Sequence, residues 1–180
     1  RIWMKQGEHQ KAVEILEVAE KAIPSQNGAS MLKAILLTEL GEMDQAIAIY
    51  ETMIERSENA DASANNMAHI IADYKYKDEA LLKKARLIAE RFINSSNPNH
   101  LDTLGWVYYR SGLPIQAQPI LEKAVKLLDQ PNPQINYHYG AVLKENGNLE
   151  MAKDQLKKAT AEEYTYEGYS EAKRMLSEIQ

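Results

Sequence analysis

Apolar residues between Pro98 and Pro131 recur at helical intervals. Leu101, Leu104, Gly105 and Tyr108 fall at spacings of three, four and seven, which is one face of a helix. Ser111-Gly112 interrupts the pattern, and Ala117, Leu121, Ala124 and Leu128 resume it. Two short amphipathic helices joined at a glycine predict a helical hairpin. Gly105 and Ala117 carry little bulk, so the two backbones can approach closely, with Leu121 and Tyr108 filling the space around them.

A single hairpin cannot bury its own apolar faces, so it needs copies of itself. A glycine recurs at Gly7, Gly41, Gly112 and Gly147, followed five residues later by Ala12, Ala46, Ala117 and Ala152. Four residues further on come Leu16, Tyr50, Leu121 and Leu156. Gly7 and Gly41 are 34 residues apart, and Gly112 and Gly147 are 35 apart. This predicts an all-α array: a partial repeat over 1–26, repeats over 27–60, 61–97, 98–132 and 133–163, and a capping helix over 164–180. Arg1 enters in mid-helix, judged by its offset from Gly7, so the chain reads as a segment of a larger protein. Trp3 sits on the packing face of that helix, and Pro24 stops the partner helix.

The 61–97 repeat departs from the pattern. Its helices carry Ala64, Met67, Ala68 and Ile71, then Ala85, Ala89 and Phe92. The link between them is five residues too long, near Tyr74–Asp78, and no glycine marks the turn. A longer loop or an extra helical turn fits there, and a tolerated surface insertion is the simpler reading. Pro114 suits the first turn of a helix, whereas Pro119 lies deep enough to kink one. After the periodicity breaks over Thr160–Gly168, Ala172, Met175, Leu176 and Ile179 share one side of a closing helix. A repeat array needs such a cap at its open end.

The spacing, residue sizes and turn glycines together resemble the tetratricopeptide repeat, over nearly the whole chain. Leu101 stands where that family usually has its first aromatic. The resemblance implies a right-handed superhelical solenoid whose first helices line a concave groove. It also implies a non-enzymatic scaffold for a protein or peptide partner. The Asn65–Ala68 and Leu101–Arg110 phrases look like large bacterial proteins of this family. Asn136–Gly140 and Glu171–Leu176 are similar to outer-membrane-linked tetratricopeptide lipoproteins of exopolysaccharide and protein-sorting systems. A periplasmic or outer-membrane-associated setting follows as an expectation, with the cytoplasm as the alternative. A structural spacer or self-associating module of such an envelope system is the alternative function. One subclass grips a C-terminal carboxylate with Lys, Arg and Asn. Asn66 fits that pattern, but Met31, Ile35, Asn99 and Thr103 do not, so the clamp is not expected.

Composition narrows the chemistry. With 21 basic and 26 acidic residues the net charge is −5, which gives no footprint for nucleic acid. No apolar run is long enough to span a membrane. There is no cysteine, hence no disulfide or thiolate chemistry. His9, His69, His100 and His138 show no ligand spacing for zinc, and the glycines form no phosphate-cradling loop. No cofactor, metal or catalytic group is expected. The groove supplies the candidate site instead: Asn65, His69, Asp102, Trp106, Tyr109, Arg110 and Tyr137. Asp102, Trp106, Tyr109 and Arg110 form a stripe offset from the core stripe, and Trp, Tyr and Arg are common binding anchors. Trp106 and Tyr137 could equally pack between neighbouring helices. With Arg110 open to a carboxylate and charges mixed, the expected ligand is a partly apolar peptide bound with little salt dependence.

Overall fold

The computed structural model describes residues 6–22, 27–56, 60–161 and 166–179. The described residues are helical and contain no strand. The chain parts into two compact units, residues 1–70 and 71–180.

The first unit holds α1 (Gln6–Ala22), α2 (Asn27–Glu39), α3 (Met43–Glu55) and α4 (Ala60–Ile70). Each packs on the next in sequence. Ala34, Leu37, Ala46, Tyr50, Met53, Ala64, Met67 and Ala68 form its core. Asn66 Nδ2 donates to the Tyr50 hydroxyl at 3.3 Å, giving the buried phenol a polar partner. The sequence places Gly7 at a turn, but the structure places it inside α1, so residues 6–8 belong to the same helix as 9–22. Trp3 and Pro24 lie outside the described residues.

The second unit begins with a π turn (Ile71–Lys75), then α5 (Glu79–Ala89) and a 3₁₀ turn (Glu90–Phe92). It continues with α6 (Pro98–Arg110), α7 (Pro114–Lys126), α8 (Pro133–Glu145), α9 (Leu149–Ala159) and α10 (Tyr169–Glu178). Consecutive helices from α5 to α10 pack on one another, and α8 also touches both α6 and α10. Local chemistry fixes the starts. The Asn97 and Asn132 side chains accept backbone N–H groups of the first turn, and Pro98 and Pro133 follow in the first helical position. Asp78 caps α5 in the same way, which explains how this hairpin turns without a glycine.

The α6–α7 turn is closed by two bonds. Leu113 N–H donates to the Tyr108 carbonyl at 2.9 Å, and Gly112 N–H to the Tyr109 carbonyl at 3.0 Å. This helix ending needs a left-handed residue, and Gly112 supplies it at φ 74°. Gly41 and Gly147 repeat the arrangement. The close approach predicted at Gly105 is also present: a Cβ there would lie 2.5 Å from Leu121 Cγ. Around this point Ala117, Leu121, Tyr139, Val142, Leu143 and Ala152 form a buried cluster. α7 runs unbroken through Pro119.

The lengthened link of the 61–97 repeat is the main departure. The π turn carries the helix on to Lys75 and buries Asp73 just before the link. The link itself, Tyr74–Asp78, is exposed or half-buried throughout, as a surface insertion would be.

Candidate functional site

The π turn, α6, α8 and α10 converge on Trp106. Its side chain is 1% exposed, and Nε1–H donates to Asp73 Oδ1 at 2.7 Å. Trp106, Tyr109 and Arg110 share one face of α6, three and four residues apart. The Tyr109 ring stacks on Trp106 at 4.9 Å between centroids. On α8, His138 stacks on it at 4.0 Å and Tyr137 tilts against it at 5.4 Å. The Arg110 guanidinium lies 4.0 Å from the Tyr76 ring centre and 4.4 Å from that of Trp106. Its Nε–H donates to the Ala72 carbonyl at 3.1 Å. Its terminal nitrogens make no hydrogen bond among the described residues.

These side chains surround a hollow of about 320 Å³. Trp106, Tyr109, Arg110 and Tyr137 form its floor, and Asp73, Tyr76, Glu167, Gly168, Glu171 and Met175 complete the lining. A second hollow of about 350 Å³ shares Tyr76, Tyr109 and Arg110 and reaches Gly112, Pro114 and Glu145. Such volumes fall in the lower range of ligand pockets.

Beneath the floor lies a buried ion-pairing geometry. His138 is fully buried and Asp102 is 5% exposed. His138 Nδ1 is 2.9 and 3.1 Å from the two Asp102 oxygens. A carboxylate only accepts, so Nδ1 carries the proton and donates. This contact fixes the ring that stacks under Trp106.

Part of the lining is set by a glycine. Gly168 adopts φ 91°, and a Cβ there would lie 2.2 Å from Tyr137 Cε1, a clash. Glycine thus satisfies both the backbone and the space, and brings Glu167 to the hollow. Burial pushes the Tyr137 hydroxyl well above the usual tyrosine range, and that hydroxyl makes no hydrogen bond among the described residues. Glu167 shares a hydrogen bond with the Tyr74 hydroxyl. Arg174 Nε–H donates to Glu171 Oε2 at 2.8 Å, which holds the Glu171 carboxyl below its ordinary pKa. No group of three or more His, Cys, Asp or Glu suited to a metal occurs among the described residues.

A family profile described as tetratricopeptide repeat matches residues 28–59 and 133–163. The helical hairpins also align with solved structures of that fold. TTC0263, a thermophilic tetratricopeptide-repeat protein of Thermus thermophilus, is 18% identical with a TM-score of 0.71, covering 96% of this chain and 91% of its own. The fold is that of a tetratricopeptide-repeat protein. YrrB, described as a tetratricopeptide-repeat protein with an unusual peptide-binding site, is 21% identical with a TM-score of 0.62, covering 93% of this chain and 82% of its own. MamA from Desulfovibrio magneticus is 14% identical with a TM-score of 0.67, covering 97% and 88%. No curated protein matches the sequence. Tetratricopeptide repeats are in general non-catalytic modules of protein–protein interaction.

Of the seven groove residues named from the sequence, Trp106, Tyr109, Arg110 and Tyr137 line one hollow of this repeat array. Trp106 and Tyr137 do so as buried floor. Asp102 is buried against His138 and does not line it. Asn65 and His69 lie half-buried on α4 of the first unit, and the Asn65 carbonyl oxygen is buried without a partner among the described residues. Asp73 continues the Asn65 and His69 stripe at a spacing of four, so helical periodicity did point to it. Tyr76 sits in the irregular link, Glu167 where the periodicity stops and Glu171 beside the apolar stripe of the closing helix, and the pattern did not mark these three as site residues. His138 could have been found: a histidine amid Ile135–Leu143 needs a partner, and Asp102 lies about one repeat earlier.

Proposed function

We propose that the second unit captures an extended segment of a partner protein in the hollow over Trp106. One observation carries this reading. Arg110 is held between two aromatic rings and anchored through Nε, while its terminal nitrogens are left uncommitted at the floor of both hollows. Such an arginine is preorganised to donate to peptide carbonyls or a carboxylate, at little further entropic cost. The Tyr109 and Tyr137 rings supply apolar contact beside it. YrrB's description as having a peptide-binding site supports a peptide as the ligand class.

A photo-crosslinking residue placed at Gln116, near the Gly112–Pro114 rim, would trap partners in cells. A Tyr109→Ala/Arg110→Ala variant should lose that product, with binding weakened by about 1–3 kcal/mol, as at other interface anchors. Undiminished crosslinking by a folded double variant would move the site elsewhere.

A second reading concerns the first unit. Ile15 and Val18 on α1 are each 68% exposed, and Leu32 and Ile35 on α2 are exposed too. This apolar surface favours self-association within an envelope assembly. Light scattering over a concentration series tests it: a constant monomer mass removes the reading. The envelope setting rests on the Asn136–Gly140 and Glu171–Leu176 phrases, and cell fractionation of the source organism checks it.

A further inference from the structure

We propose that the hollow over Trp106 selects a partner segment bearing a lysine or arginine, whose cation seats against Glu167 and the Tyr137 hydroxyl. This rests on the peptide-capture reading and specifies its ligand. Three carboxylates, Asp73, Glu167 and Glu171, line the hollow against one cation, Arg110. Their partners differ. Asp73 accepts from the Trp106 indole. Glu171 is answered by Arg174. Glu167 has only the neutral Tyr74 hydroxyl, and no cation pairs with it among the described residues. The excess negative charge is therefore concentrated at the Glu167 end.

A second feature lines the same hollow. Tyr137 is 3% exposed, yet its hydroxyl has no hydrogen-bond partner among the described residues and its ring lines the cavity. The ring is buried but the hydroxyl oxygen is not, so a ligand donor can reach it at the cavity. An ammonium or guanidinium donates only, so it suits a hydroxyl lone pair and a carboxylate together. The site is built rather than incidental. Gly168, left-handed and without room for a side chain beside Tyr137, is what brings Glu167 there. Arg110 itself is held against the Tyr76 and Trp106 faces. In place of the salt-insensitive binding expected from mixed charges, affinity should fall as salt rises.

The test uses the full chain, immobilised and panned against a random heptapeptide library. Selected peptides should share a basic residue, and its replacement by norleucine should weaken binding by about three- to tenfold, the size of a partly exposed charge contact with an aromatic neighbour. Glu167→Gln should bind the basic peptide as weakly as wild type binds the norleucine peptide, and should not distinguish the two. Glu150→Gln, remote from the hollow, should bind like wild type. Peptides selected without a basic residue, yet lost in Arg110→Ala, would overturn the cation preference and leave peptide capture standing. A library that yields no binder displaced by Arg110→Ala would overturn both. Glu167→Asp, which keeps the charge, guards against misfolding: it should retain the preference for the basic peptide, and failure to do so would also sink the assignment.

Discussion

At the scale of single residues, small volume and buried polarity decide most outcomes. Gly105 has no room for a Cβ beside Leu121, so Gly105→Leu should cost about 1–3 kcal/mol or more through overpacking. A melting temperature within a degree of wild type would contradict this. The Asp102–His138 contact behaves differently. Asp102→Leu leaves a fully buried imidazole donor with no acceptor, a loss of about 1–3 kcal/mol. Asp102→Leu/His138→Phe should recover much of it, because both polar groups are then gone, and a double-mutant cycle by urea unfolding would show the coupling. The sequence made the Gly105–Leu121 contact legible, since two periodic stripes meet there. It did not reveal that Trp106 is held by Asp73. Helical spacing puts Asp73 in line with Asn65 and His69, but a bond to an indole 33 residues away leaves no mark in a local pattern.

At the scale of elements, the glycine-closed hairpins follow from short-range chemistry, which is why their positions could be read in advance. Gly7 is the exception: the same residue type can sit within a helix, at a cost in propensity. The closing helix α10 buries Ala172 and Met175 and contributes Glu171 to the hollow. Deleting Tyr169–Gln180 should expose the faces of α8 and α9 that it covers, detected as lost amide protection in those helices and as aggregation. The stability of the helix itself also depends on pH, through a pair internal to it. Arg174 lowers the Glu171 pKa, so this contribution is present above the ordinary carboxylate value and lost as pH falls through the lowered one. Amide protection of α10 should therefore drop as pH falls from about 5 to 3, starting near the ordinary glutamate pKa of about 4.3. Arg174→Gln should blunt that drop, and an unchanged profile would show that the pair plays no part.

At the scale of the molecule, stability within each unit is a sum of neighbour contacts, because each helix touches those next to it in sequence or one beyond. Exchange should be slowest in α6–α9, where a continuous buried cluster runs, and fastest in α1, whose Ile15 and Val18 are solvent-exposed. Uniform protection across the chain would argue for a single cooperative block.

The stack around Trp106 has an optical consequence. The chain contains two tryptophans, Trp3 and Trp106. In a Trp3→Phe variant every tryptophan photon comes from an indole lying against an imidazole, a phenol and a guanidinium. Its emission wavelength and lifetime will register any guest that enters the hollow, without a dye and without a tag. The protein thus carries its own titration signal, and the partner can be sought in fractionated extracts by watching one residue glow differently.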